Sequence, residues 1–165
     1  MYQDAAVFPY TYAPWPRRIA SAVIDFLVVT LITAPFVAPI VSRVIDDSTE
    51  TTAASFTASE VRTLTIIGIV IQVAYFTAMH AWRGSTVGKM AARTVVVRDE
   101  GQPITPGVAF IRAVSLVGIN FVAPFLLFVP GIVNMLAPLW TPQRQTFHDR
   151  FAKTIVVLRD QNLTE

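Results

Sequence analysis

The chain has 165 residues, enough for one domain or one small helical bundle. With 53% hydrophobic and only 15% charged residues it is too apolar for an ordinary water-soluble domain. The absence of cysteine excludes disulfides, zinc–thiolate and iron–sulfur sites and cysteine nucleophiles, and a net charge of +2 is too small to point to nucleic acid.

The first sixteen residues are aromatic and proline-rich (Tyr2, Phe8, Tyr10, Tyr12, Trp15; Pro9, Pro14, Pro16) and lack the basic start of a signal peptide. They predict an irregular tail over 1–16 whose rings rest in the headgroup layer. From 19 to 42 the only charge is Asp25, and the run is long enough to cross a hydrocarbon core, with Pro35 and Pro39 kinking its far end. A polar loop follows, with Arg43, Asp46, Asp47, Glu50, Glu60 and Arg62. The uncharged run 63–82 predicts a second spanning helix, with His80 and Trp82 at its interfacial end.

The stretch from Arg83 to Arg112 has a different character. Arg93-Thr-Val-Val-Val-Arg98 predicts a strand, Asp99-Glu100-Gly101 a turn, and 102–105 a short return strand. Lys153-Thr-Ile-Val-Val-Leu-Arg159 repeats the composition of the first strand, so the two are expected to pair outside the membrane. Between them, 113–140 is uncharged but broken by Pro124, Pro130-Gly131 and Pro138. Basic residues cluster in the tail (Arg17, Arg18), in the middle segment, and after 140, whereas the first loop mixes two arginines with four acids. The positive-inside rule therefore puts the N-tail, the middle segment and the C-tail in the cytoplasm. The 113–140 region must then return to its starting side, as a hairpin or re-entrant segment broken near 130, its first arm beginning as early as Pro106. The expected fold is mainly α: a small polytopic membrane helix bundle with a small cytoplasmic β-element, one unit over 17–160 and a short tail at 161–165.

Few residues carry chemistry. Asp25, at membrane depth, costs on the order of 3 kcal/mol to insert and needs a partner or a watered cavity. It is either a proton- or ion-relay carboxylate or a buried strut, paired with Arg18 two turns back. Arg83-Gly-Ser-Thr-Val-Gly-Lys89-Met90 is one residue short of a phosphate loop, and Met90 stands where magnesium needs a hydroxyl. It predicts a turn and a helix start, with a headgroup- or anion-binding turn through Lys89 as the functional alternative. Arg144-Gln-Thr-Phe-His148-Asp149-Arg150 holds adjacent His and Asp that diverge on any regular element, so no metal pair and no Ser-His-Asp triad is legible. A polar network of His148, Arg144 and Lys89 at the cytoplasmic mouth is expected instead, with no cofactor and no enzymatic activity.

In order and spacing these segments resemble the RDD family of bacterial multi-pass membrane proteins, named for one arginine and two aspartates. The matching blocks are 17–25 with Arg18 and Asp25; Gly84-Ser-Thr-Val-Gly-Lys89 followed by Arg93-Thr-Val-Val-Val97 and Gly101; and 144–149 with Asp149, followed by Thr154-Ile-Val-Val157. Lys153 departs from the family's usual glycine before the threonine, and Ala91 and Ala92 replace larger apolar residues. The resemblance implies a transport role, in some members sodium/proton antiport, with Arg18, Asp25 and Asp149 as the ion-handling residues.

Two functions follow. One is cation/proton exchange, with Asp25 as the intramembrane carboxylate, tuned by Arg18 and gated by Asp149, in a protomer small enough to need a homo-oligomer. The other is a non-catalytic accessory or scaffold protein that binds a larger membrane complex or lipid headgroups. Either places the chain in the lipid bilayer of the cell's inner or plasma membrane, both termini cytoplasmic.

Overall fold

The computed structural model describes residues 10–46, 55–122, 126–127 and 129–159. Tyr2, Phe8, Asp47, Glu50, Pro124 and the tail 161–165 lie outside the described residues. Helix α1 runs Trp15–Asp46 and α2 Ala58–Arg83. The short α3 (Val87–Ala91) leads into β1 (Thr94–Arg98). Then come α4 (Pro106–Val122), α5 (Val129–Leu136) with a 3-10 turn Ala137–Leu139, the short α6 (Phe147–Phe151) and β2 (Thr154–Leu158).

Helices α1 and α2 are long and apolar enough to span a membrane. They expose large apolar side chains such as Phe26, Leu31 and Phe36, which lipid rather than water can cover. Helix α1 runs through Pro35 and Pro39. Thr30 and Thr33 bond back to the carbonyls of Phe26 and Val29 at 2.8 and 2.7 Å, so their hydroxyls need no water. Away from the sheet, Thr57 and Glu60 form a capping box at the start of α2, and Arg43 on α1 pairs with Glu60.

The third apolar region is a helical hairpin with unequal arms. Its break lies between 122 and 129 rather than at Pro130-Gly131, which instead form the first turn of α5, where a missing N–H costs little. The first arm starts at Pro106, so Arg112 lies within α4 and is buried, not on a solvated flank.

Strands β1 and β2 pair antiparallel, Val96 opposite Val156 at the centre. That pairing brings the segments after α2 and after α5 together at one end of the helices. Both faces of this sheet are covered, which is why the strands read as unbroken Val/Ile runs. Val96 and Val156 pack with Ala13, Ile104 and Ala109, whereas Val95, Val97, Ile155 and Val157 are covered by Tyr10 and Tyr12. These tyrosines therefore pack on the sheet, and the tail is not irregular there: residues 11–13 bind along β2, with Leu158 N–H donating to the Thr11 carbonyl and Ala13 N–H to that of Val156. The expected return strand at 102–105 is reduced to a single bridge between Val97 and Pro103. Similarly, His80 is buried, with Nδ1 at 2.7 Å from the Phe76 carbonyl, while only Trp82 takes the exposed position expected of both.

The α3–β1 and α6–β2 units are built alike. Each opens with a threonine N-cap (Thr86, Thr146) and closes on an alanine (Ala92, Ala152). A basic residue in the left-handed region comes next (Arg93, φ 54°; Lys153, φ 49°). The residue before each cap, Ser85 or Gln145, donates to the carbonyl of the first strand residue, Thr94 or Thr154, at 2.9 Å. Each of those threonines in turn donates to the carbonyl of Lys89 or Asp149 at 3.3 Å. The likeness between the two strands is thus one part of a repeated helix–turn–strand unit, and the strands pair about its centre. In this frame Lys89 and Asp149 are equivalent positions.

A side chain in the left-handed region costs about 1 kcal/mol that glycine avoids. Lys153→Gly is therefore expected to leave the fold intact and raise the thermal midpoint slightly. A clear fall in a detergent melt would show that Lys153 makes a stabilising contact outweighing its backbone strain.

Candidate functional site

Two buried carboxylates organise the sheet end of the bundle, and they are not partners of the same cation. Asp25, on α1 and 3% exposed, accepts three hydrogen bonds: from Tyr75 Oη on α2 at 2.8 Å, from Thr86 Oγ1 at 2.5 Å and from the Gly88 N–H at 2.8 Å. The Val87 N–H donates to Tyr75 Oη at 3.2 Å, closing the ring of contacts. The turn that resembles a phosphate loop therefore does hold an anion, and the anion is the chain's own Asp25. Gly88 is required there, since a Cβ would fall 2.0 Å from the Ser21 carbonyl oxygen.

Arg18 does not pair with Asp25. Its guanidinium faces the sheet end, where Nη1 donates to Asp149 Oδ2 at 3.0 Å, Nε to the Ala13 carbonyl and Nη2 to the Val156 carbonyl. Asp149 also accepts the Thr146 N–H at 3.0 Å and forms an ion pair with Arg112 of α4. Arg112 Nη1 in turn donates to Thr154 Oγ1 at 2.6 Å. One carboxylate thus ties α1, α4, α6 and the start of β2 together. Burial opposes charge on Asp149, but Arg112, aided by Arg18 and the Thr146 N–H, outweighs it and holds the carboxyl well below its usual range.

The expected network of His148, Arg144 and Lys89 is not formed: among the described residues no hydrogen bond or ion pair joins the three. Arg144 is exposed, at a positive-φ turn ahead of the Thr146 cap. His148 instead lies within hydrogen-bond distance of Thr146 Oγ1 and Asn134 Nδ2. Burial pulls its imidazole down to about 3, so it is neutral at physiological pH. The Lys89 ammonium makes no ion pair or hydrogen bond among the described residues, and burial followed by the charge of Arg112 lowers it to about 8.

His148 has a folded-state value below its ordinary 6.5, so the unfolded chain takes up the proton first. Stability is full above pH 6.5 and is lost as pH falls from there toward 3. Thermal melts in detergent are expected to show this loss, and His148→Gln to flatten it; an unchanged pH profile in that variant would remove His148 as the cause.

These groups form the foot of a cavity of about 940 Å³ bounded by α1, α2, α4 and α5. Arg18, Asp25, Lys89, Arg112 and His148 line its polar end. Above them the wall is mainly apolar, with Phe26, Val29, Val37 and Val41 from α1 and isolated amides at Gln72 and Asn120. Arg18, Asp25 and Asp149 reach this one region from opposite ends of the sequence, and with them the profile of the RDD family matches residues 12–153. The chain belongs to the RDD family. No curated protein and no solved structure matches it.

In this RDD protein, sequence reasoning missed Arg112, the second partner of Asp149, and Tyr75, Thr86 and Asn134. A charge inside an amphipathic helix beginning at a proline was the available signal for Arg112, since Pro106 marks a helix start. Nothing local marks Tyr75, which becomes a carboxylate donor only when α2 packs beside α1. Among the described residues no group of three or more His, Asp or Glu side chains is placed to hold a metal ion.

Proposed function

We propose that this RDD protein is a non-catalytic membrane carrier whose ligand enters the cavity between α1, α2, α4 and α5 and is recognised at its polar foot. The supporting observation is the cavity itself: a cleft of about 940 Å³, open along part of α1, within the range of ligand sites, with charged groups gathered at one end and a mainly apolar body. A protein that served only to anchor a complex would need no such cleft. In this reading Asp25 acts as a clamp. Its three donors hold α2 and α3 to α1, and releasing it to carry an ion means breaking all three.

Sodium/proton exchange through Asp25 is the second reading, favoured by the position of Asp25 on the cavity wall, in a helix long and apolar enough to span a membrane. One experiment separates them. The purified protein is reconstituted into liposomes with a pH dye inside, sodium and potassium gradients are imposed in turn, and wild type is compared with Asp25→Asn. Under the clamp reading Asp25→Asn loses about 1–3 kcal/mol of stability through weakened charge-assisted hydrogen bonds. Adding an Arg18 substitution makes the loss larger, because the two side chains share no partner. Cation-dependent proton movement that disappears in a stably folded Asp25→Asn would establish exchange instead. A cytoplasmic sheet end, in a cell membrane, is part of the same proposal and is tested by labelling a cysteine placed at Gln161. Binding of a larger membrane complex, with or without self-association, is the reading to pursue if no ligand or flux is found.

A further inference from the structure

The cavity is asymmetric in chemistry, and the repeat shows why. In the second unit, Asp149 on the short helix α6 is in ion-pair contact with Arg112 on the long helix α4. In the first unit the signs are exchanged: Asp25 is on the long helix α1 and Lys89, the counterpart of Asp149, is on the short helix α3. Here the equivalent pair is not closed. Asp25 is held by Tyr75, Thr86 and the Gly88 N–H, and Lys89 has no ion pair among the described residues. The foot of the cavity therefore has Arg18 and Arg112 bound to Asp149, Asp25 satisfied by neutral donors, and Lys89 facing the cavity within the field of both carboxylates but in ion-pair contact with neither.

Three cations against two carboxylates leave that end net positive, which disfavours a metal cation and favours an anion. His148 and Asn134 line the same end without adding charge; they are engaged with each other, with Thr146 and with the Phe147 N–H, which leaves the second amide hydrogen of Asn134 as a donor. The rest of the cavity argues against a small hydrophilic anion, because its wall along α1 from Phe26 to Val41, about 20 Å, is mainly apolar, and the hydroxyls of Thr30 and Thr33 within it are already bonded to the helix backbone. A ligand complementary to both ends has an anionic head and a hydrocarbon tail.

We infer that the cavity binds an anionic amphiphile of the phosphate-ester lipid class, with the headgroup on Lys89 and the tail against α1 between Phe26 and Val41. This rests on the cavity being the binding site, but not on transport.

The test uses the full chain in a neutral maltoside detergent and follows thermal unfolding with dodecyl phosphate, dodecyltrimethylammonium or inorganic phosphate at matched concentrations. A ligand that binds only the folded state raises the midpoint. Dodecyl phosphate is expected to raise it by several degrees and the other two by little. Lys89→Ala should weaken the apparent affinity about tenfold, and Lys89→Arg should keep most of it. Val37→Trp, which fills the tail wall without touching the foot, should also reduce it. The inference is overturned if the cationic probe stabilises equally, if inorganic phosphate suffices, or if Lys89→Ala binds like wild type. Binding without flux would sink the carrier reading alone. Flux of a solute with which dodecyl phosphate does not compete would sink this inference alone.

Discussion

Replacing Asp149 with asparagine is expected to cost on the order of 3–5 kcal/mol, a large fraction of the stability of a small domain. The reason lies in what is left behind. Arg112 is 3% exposed and Arg18 has a side chain 11% exposed, and without the carboxylate both guanidiniums are buried charges with no counter-ion. They are not equally stranded. Arg18 keeps the carbonyls of Ala13 and Val156, at 3.3 and 3.4 Å, whereas Arg112 keeps the hydroxyl of Thr154. In the Asp149→Asn background, Arg112→Met should therefore recover more stability than Arg18→Met. Thermal melts of the single and double variants give the coupling directly. Simple additivity of Asp149→Asn and Arg112→Met would mean that the pair does not interact across α4 and α6.

Gly88→Ala should be nearly as damaging, for a steric reason. The added Cβ would meet the Ser21 carbonyl oxygen at 2.0 Å and Asp25 Cγ at 2.8 Å. Neither is a flexible side-chain end: one is the backbone of a spanning helix, the other a carboxylate fixed by three donors. Helix α3 must then move off α1, and the Gly88 N–H bond to Asp25 breaks with it. Overpacking costs about 1–3 kcal/mol and loss of a charge-assisted hydrogen bond about as much again, so a fall of about 3 kcal/mol or more is expected. Gly118→Ala is the control. Nothing lies within 4 Å of its Cβ position, and alanine is the better helix former, so it should be neutral or slightly stabilising. Equal melts for Gly88→Ala and wild type would mean that α3 is not seated on α1.

Features set by composition and local chemistry were legible in the chain. A long apolar stretch with one charge must be a helix in lipid, because only a helix satisfies its own backbone there, and α1 and α2 follow. Asp99-Glu100-Gly101 turns as expected, with Gly101 at φ 82°. The pairing of the two valine-rich strands was also readable, since two such runs with polar ends have few other ways to bury both faces. The break in the third apolar region was predicted but displaced toward Pro130, because proline stops a helix or starts one and the residue type alone does not say which.

The sequence by itself determined the membrane character of the chain, its two long apolar helices, and which ionisable residues must find partners. It did not determine the partners. Arg18 and Asp25 sit two turns apart on one helix and looked like a pair, yet a guanidinium and a carboxylate bond whatever the packed neighbours bring closest. Tertiary structure brings Asp149 to Arg18 and the α3 turn to Asp25. It also buries Arg112, which any count of loop charges places in water. Partner choice is decided by distances between elements remote in sequence, and such distances exist only once α1, α4 and the two helix–strand units have packed.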